Sequence, residues 1–297
     1  MTKWTARDIP AQAGRTIVVT GANSGLGLVT ARELARAGAR VVLAVRDIGR
    51  GEAAAREIRD AAGEVDIDVR RFDLADQESI QMFADAWDGP LDVLINNAGI
   101  MAVPQGTTKD GFESQVGTNH LGHFALTNRL LPQITDRVVT LSSGAHRMGR
   151  ILVEDLNWER RRYHSWRAYG QSKLANLLFT LELQRRLQAS GSTVRALASH
   201  PGYASTNLQS HTGNIIQNTV MAAANKVVAQ SDAMGALPTM FAATQDLPGG
   251  SYVGPDGPAE SRGYPTLVGR SRAASDPDMA KELWDLSEKL TSVSYRL

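Results

Sequence analysis

The chain has 297 residues, 42% of them hydrophobic, and a formal net charge of +1. It has no cysteine, which excludes disulfides, zinc–thiolate sites and thiol catalysis. The near-zero charge and the lack of a basic run give no argument for nucleic acid as a partner. Residues 1–12 carry no apolar run that could serve as a signal peptide or anchor. No window approaches eighteen uninterrupted apolar residues, so no membrane span is expected and a cytoplasmic location is the default. The length suits a single sheet wrapped by helices with a large core, and residues 1–297 are expected to form one domain.

Thr16–Thr20 is a short apolar run that suits a buried parallel strand. Three glycines follow within seven residues, Gly21, Gly25 and Gly27. A helical pattern then runs to a stop at Gly38. Strand, glycine turn and helix together place backbone N–H groups and a helix N-terminus around a pyrophosphate. The spacing departs from G-x-G-x-x-G, and an ordinary strand-to-helix turn also contains glycines. Arg40–Val45 reads as the second strand. A site that prefers NAD usually ends this strand with an acid for the ribose 2′-hydroxyl. Here the end is Val45-Arg46-Asp47. Arg46 offers a planar fork of donors suited to a 2′-phosphate, so NADP(H) is expected rather than NAD(H). Asp47 could instead pair with Arg46.

The alternation continues with a helix over about 49–62, a strand over 65–72 ending at Asp73-Leu74, and a helix over about 76–87. Leu91–Ile95 is a fourth strand, closing in Asn96-Asn97-Ala98-Gly99. A helix over about 111–132 carries Asn119. Arg137–Leu141 is the fifth strand, ending in Ser142-Ser143. After the helix of Tyr169 comes a sixth strand over 193–199, ending in His200-Pro201-Gly202. This rhythm predicts an α/β fold with a doubly wound parallel sheet of the Rossmann type. Residues 150–167 break the rhythm and are polar; Arg160-Arg161-Arg162 are read as a solvated face. A substrate lid is expected at about 204–235. Loops around one short strand, Ser251–Val253, and a C-terminal helix at about 277–291 complete the chain.

Tyr169 and Lys173 lie four apart, one helical turn from each other on one face. A phenol next to an ammonium has its anion favoured, so the Tyr169 pKa is expected to fall toward the working pH. That makes Tyr169 a candidate general acid/base, although Tyr-x-x-x-Lys also occurs by chance on helix surfaces. The six histidines have no metal-like spacing and are read as structural, with no metal expected. Ligands of an open parallel sheet bind at the carboxyl ends of its strands. The glycine turn, Asp73, Asn97, Ser143 and Pro201-Gly202 all fall there, and the Tyr169 helix can face the same edge.

In this order the motifs Thr20-Gly21-Ala-Asn-Ser-Gly25-Leu-Gly27, Asn96-Asn97-Ala98-Gly99, Asn119, Ser143, Tyr169-x-x-x-Lys173 and Pro201-Gly202 closely resemble the short-chain dehydrogenase/reductase superfamily, from about residue 14 to 255. Thr118–Phe124, Ser142–His146, Tyr169–Ala175 and Ser251–Pro255 resemble the retinol dehydrogenase and WW-domain oxidoreductase group, without the N-terminal anchor of its membrane-bound members. The resemblance implies hydride transfer between NADP(H) and a small alcohol or carbonyl substrate. It implies catalytic roles for Tyr169 in proton transfer, Lys173 in lowering its pKa and binding the ribose, Ser143 on the substrate oxygen, and Asn119 in holding a water. Gly21, Asn23, Ser24, Gly25, Leu26 and Gly27 would cradle the pyrophosphate. Asp73 and Leu74 would meet the adenine, and Asn97, Ala98 and Gly99 the neighbouring ribose. Pro201, Gly202 and Thr206 would reach the phosphates or carboxamide. Whether Ser142 shares the role of Ser143 stays open. A homodimer or homotetramer is compatible with the resemblance, through the helices of Asn119 and Tyr169. An extended-type nucleotide-sugar epimerase or dehydratase, or a non-enzymatic NADPH-binding regulator, are the alternatives. The tail is short for the first, and the regulators tend to lose Tyr or Lys.

Overall fold

The computed structural model of the protein describes residues 3–203 and 230–295. Its strands are β1 (Thr16–Thr20), β2 (Arg40–Val45), β3 (Ile67–Arg71), β4 (Leu91–Asn96), β5 (Ile134–Leu141), β6 (Arg195–Ser199), β7 (Tyr252–Pro255) and β8 (Pro265–Leu267). They form one sheet in the order β3-β2-β1-β4-β5-β6-β7-β8. All neighbours are parallel except β8, which pairs antiparallel with β7. The order reverses between β1 and β4, the switch point at which such sheets open a crevice. The helices are α1 (Gly25–Arg36), α2 (Ile48–Ala62), α3 (Gln77–Asp85), α4 (Ser114–Val116), α5 (Gly122–Leu130), α6 (Ser165–Ala189), α7 (Asp232–Thr244) and α8 (Pro277–Thr291). Their starts are chemically marked. Asp47, Asp76 and Asp276 each accept backbone N–H bonds as the N-caps of α2, α3 and α8.

Successive strand residues feed opposite cores. Ile17 and Val19 pack with α1, α2 and α7, whereas Val18 joins α3, α5, α6 and α8. This is the doubly wound α/β sheet expected from the alternation of elements. On the second face an aromatic cluster fastens α8 over α5 and α6. Trp284 stacks on Phe179 at 5.7 Å and meets Phe124 edge-on at 4.8 Å, and His120 Nε2 lies 3.0 Å from Ser287 Oγ. The helices expected to carry a dimer interface are therefore covered by the chain's own terminal helix. Every α5 residue except the half-buried Arg129 is buried, as is α6 from Ala168 to Thr180.

Several elements differ from the sequence-based expectation. The helix of Asn119 is not one regular helix. A π-helical turn, Gly117–Leu121, joins α4 to α5. Such wide turns accumulate at functional sites. Strand β3 is shorter than expected and lies at the sheet edge, although Phe72 N still donates to Val45 O at 2.8 Å. Helix α7 was not anticipated. It is apolar on nearly every side and wedged against α1 and the sheet, so it has no periodic signal. Most of the expected lid, residues 204–229, lies outside the described residues, and 232–235 form the start of α7. The Arg160-Arg161-Arg162 run is not uniformly solvated. Arg161 lies 3.7 Å over the Trp158 ring and 3.3 Å from Asp155. No described helix is long and apolar enough to cross a membrane.

Two outcomes follow from this packing. Trp284→Ala removes the centre of the aromatic cluster and should cost about 3–5 kcal/mol of stability; a loss under about 1 kcal/mol in urea unfolding contradicts that placement. The second concerns histidines. Burial pushes His120 down to about 4, His123 to about 3 and His200 to about 4. Unfolded, each titrates near 6.5. Between those values the unfolded chain takes up protons that the folded chain does not. Stability is thus full above about 6.5 and falls as the pH drops toward 4. The urea midpoint should be lower at pH 5 than at pH 7, and His123→Gln should reduce the difference. Equal midpoints at both pH values overturn the reading.

Candidate active site

The end of β5 and the middle of α6 are joined by three hydrogen bonds. Ser142 Oγ donates to Lys173 O at 2.8 Å, Lys173 Nζ to Leu141 O at 3.1 Å, and Asn176 Nδ2 to Leu141 O at 2.9 Å. The next residue, Ser143, is half-buried and faces Tyr169. Its hydroxyl is near enough to lower the pKa of the phenol, and Ala145 N donates to Ser143 Oγ at 3.2 Å. The two serines therefore separate by geometry. Ser142 is committed to the α6 backbone and Ser143 to the open side.

Tyr169 is 7% and Lys173 5% exposed. The Lys173 ammonium lies 5.8 Å from the Tyr169 ring centroid. Burial pushes Lys173 down to about 8. It pushes Tyr169 up to about 12, against the opposing influence of the Ser143 hydroxyl. The fall expected for Tyr169 is thus reversed here, because desolvation of the phenolate is the largest cause of the shift. Among the described residues no carboxylate pairs with Lys173.

Asn119 sits on the π-helical turn, where its side chain reaches two elements. Its Nδ2 donates to Ile100 O and to Ser172 Oγ, each at 2.9 Å, and its Oδ1 accepts Ile100 N at 2.8 Å. The side chain thus ties the turn after β4 to α6, and the Asn119 backbone carbonyl accepts from His123 Nδ1 at 3.0 Å. The other ring nitrogen of His123 is 2.9 Å from Thr20 Oγ1. With Nδ1 bound to a carbonyl, Nδ1 carries the proton and Nε2 accepts from the Thr20 hydroxyl. Thr20 Oγ1 in turn accepts Asn97 N and Ala98 N, both at 3.0 Å. Thr20 and His123 were not among the expected site residues. The signals were a polar residue closing an apolar strand, and a histidine four residues after Asn119.

The glycine turn is close-packed. A Cβ at Gly21, where φ is +65°, would lie 2.8 Å from Ala98 Cβ, and one at Gly27 would lie 2.5 Å from both Asn97 Nδ2 and Gly21 O. Asn97 Nδ2 itself donates to Thr20 O at 2.8 Å. Asn23 is half-buried, Ser24 exposed and Leu26 buried. The first turn of α1 has no acid, and the Ser24 side chain makes no capping bond. The leading N–H groups of α1 are thus left for an anion. Gly99 borders the same space, since a Cβ there would lie 3.0 Å from Asn119 Oδ1 and 3.5 Å from Lys173 Nζ. This cradle fits a dinucleotide pyrophosphate.

Arg46 is exposed at the end of β2. Asp47 does not pair with it: its Oδ1 caps α2 through Arg50 N at 3.0 Å, and Oδ2 is 3.8 Å from Arg50 Nε. Asp73 is half-buried and accepts Ala75 N at 3.0 Å, and Leu74 is buried beneath Gly122. Gly202 has a φ of +67° and donates its N–H to His200 Nδ1 at 3.2 Å, after Pro201 at the end of β6. Thr206 lies outside the described residues. The other candidates share one edge of the sheet.

A family model described as short chain dehydrogenase matches residues 15–217. Retinol dehydrogenase 13 of Homo sapiens is 43% identical over 293 residues, 94% of this chain and 85% of that protein. Retinol dehydrogenase 12 of Mus musculus is 53% identical over 196 residues, 64% of this chain and 61% of that protein. A crystal structure of an uncharacterized protein from Mycobacterium paratuberculosis matches over 100% of both chains, with 57% identity and a TM-score of 0.86. Since the family model spans more than half of the sequence, the chain belongs to the short-chain dehydrogenases, an oxidoreductase family that binds a nicotinamide cofactor, and stands near its retinol dehydrogenase members.

Proposed function

We propose that this protein is an NADP(H)-dependent oxidoreductase that interconverts a small alcohol and its carbonyl compound, with Tyr169 as the general acid/base. The observation that carries the reading is the buried Tyr169, beside the Ser143 hydroxyl and one helical turn from the buried Lys173. When bound, the nicotinamide supplies or accepts the hydride. Gly21, Asn23, Ser24, Gly25, Leu26 and Gly27 would hold the pyrophosphate, with Asp73, Leu74, Asn97, Ala98 and Gly99 along the adenosine side. Pro201, Gly202 and Thr206 would lie toward the carboxamide.

The chain's own groups account for the proton. With its pKa pushed up to about 12, Tyr169 is protonated at neutral pH and can donate from Oη to a carbonyl oxygen. In the alcohol direction it has to ionise first, and a charged Lys173 favours that anion. The Ser143 hydroxyl can donate to the same substrate oxygen as negative charge gathers there.

Tyr169→Phe keeps the ring and removes the proton. Turnover should fall by roughly a hundred- to ten-thousand-fold with cofactor affinity little changed. Ser143→Ala should also lower turnover, by far more than Ser142→Ala at matched folding. Near-normal turnover in Tyr169→Phe sinks the mechanism, and a larger effect at Ser142 reverses the assignment of the serines.

The cofactor preference rests on Arg46, whose guanidinium has no carboxylate partner among the described residues. A bond to a charged group contributes about 1.5–3 kcal/mol. Because Arg46 is exposed, the lower end applies, or roughly tenfold in favour of NADPH. Arg46→Ala should remove most of that preference by weakening NADPH alone. Competition titrations with both cofactors decide it, and equal or better use of NADH by the unmodified protein refutes the assignment.

A further inference from the structure

Between β5 and α6 the chain runs through residues 144–164 and borders a surface pocket, open to solvent, of about 580 Å³. That is the size of small-molecule sites. Its walls carry four arginines, Arg150, Arg161, Arg162 and Arg167, around apolar surface from Met148, Leu152 and Trp158. None of these residues belongs to the site built from Ser143, Tyr169 and Lys173. The stretch from residue 147 to 167 holds six arginines against three acids, in a chain whose formal net charge is only +1.

The acids nearby engage only one arginine of this wall, Arg161. Asp155 Oδ1 accepts Glu159 N at 2.7 Å and Arg160 N at 3.0 Å, and its Oδ2 is 3.3 Å from Arg161 Nε. Glu154 and Glu159 are exposed. Among the described residues, the guanidinium groups of Arg150, Arg162 and Arg167 make no hydrogen bond and no ion pair. Arg167 also stands in the first turn of α6, which holds no acid. A helix dipole disfavours a cation there and favours an anion. Met148, a large apolar side chain, is 55% exposed beside them. Arg161, stacked on Trp158, is the member of the group fixed by the fold.

We propose that this pocket binds an anionic amphiphile, a carboxylate or phosphate group on a short apolar body. Guanidinium forks take the oxygens of the anion in pairs, and Met148, Leu152 and Trp158 receive the apolar part. The ligand is separate from the alcohol or carbonyl substrate, and its binding needs no nicotinamide cofactor.

Trp158 reports on the pocket. The probe is octyl phosphate, titrated against tryptophan emission of the full-length protein without cofactor, with Trp158→Phe identifying the signal. Octanoate tests the carboxylate; octanol and inorganic phosphate are the controls. Octyl phosphate should bind at least roughly tenfold more tightly than either control, and more weakly as salt is raised. The Arg150→Ala, Arg162→Ala double variant should lose roughly tenfold or more. Both arginines are exposed, and an unchanged thermal melt verifies the fold. Equal binding of octanol makes the site merely apolar, and equal binding of inorganic phosphate leaves the apolar wall without a role; either result overturns the proposal. So does unchanged binding in the double variant. Co-sedimentation with phosphatidylglycerol vesicles, without binding of octyl phosphate, assigns the arginines to a lipid surface and overturns it equally.

Discussion

The candidate site depends on how the end of β5 is held against α6. Leu141 O accepts from both Lys173 Nζ and Asn176 Nδ2, and Ser142 Oγ donates to Lys173 O. These bonds fix where along α6 the strand ends, so Ser143 comes opposite Tyr169. They also give buried partners to Lys173 Nζ and Asn176 Nδ2, while Asn176 Oδ1 is buried without one. The paired members of such a buried network specify one arrangement of strand end and helix. The lysine has a carbonyl partner and no anion among the described residues, which is why burial lowers it so far. A cation held this way is available to a passing anion or an oxygen of a bound ligand.

A second set of bonds carries that order across the switch point. His123 connects the carbonyl of Asn119 to the hydroxyl of Thr20, and Thr20 holds the backbone of Asn97 and Ala98. Asn97 returns a bond to Thr20 O. The glycine turn after β1 and the turn after β4 are thereby set against each other by one neutral imidazole. Protonating it would replace an acceptor by a donor facing the Thr20 hydroxyl, and burial opposes that. Close packing at Gly21 and Gly27 completes the cradle, since any side chain there would meet the opposing turn.

Much of this was legible in the sequence. The strands that are buried on both faces read as short apolar runs, and the helices marked by aspartate caps were found close to their bounds. The site residues fell at strand ends because the alternation of elements puts them there. What could not be read had identifiable causes. Helix α7 is apolar all round, so periodicity is silent. The π-helical turn needs one extra residue per turn, which no pattern of apolar positions registers. The bonds of Thr20, Ser142 and His123 join residues distant in sequence, and nothing local announces them. The pKa of Tyr169 was misjudged because spacing reveals the cation but not the depth of burial. Arg161 was misjudged because a run of three arginines conceals the one that stacks on Trp158.

The charges along the carboxyl edge have a common sense. Its carboxylates are engaged in local structure: Asp47 and Asp76 cap helices, and Asp73 accepts the N–H of Ala75. Asp232 comes near Gly25, within 4.0 Å of where a Cβ would stand. Burial pushes that carboxyl upward, toward its neutral form. The positive groups at this edge are the N-terminus of α1, the buried ammonium of Lys173 and the exposed guanidinium of Arg46, and Asp232 Oδ1 is buried near them without a hydrogen bond. An edge of this kind favours a ligand with several negative charges spread along its length. The engagement of Asp47, Asp73 and Asp76 in local structure matters here as much as the cations do, because a free carboxylate beside the glycine turn would repel a pyrophosphate at close range.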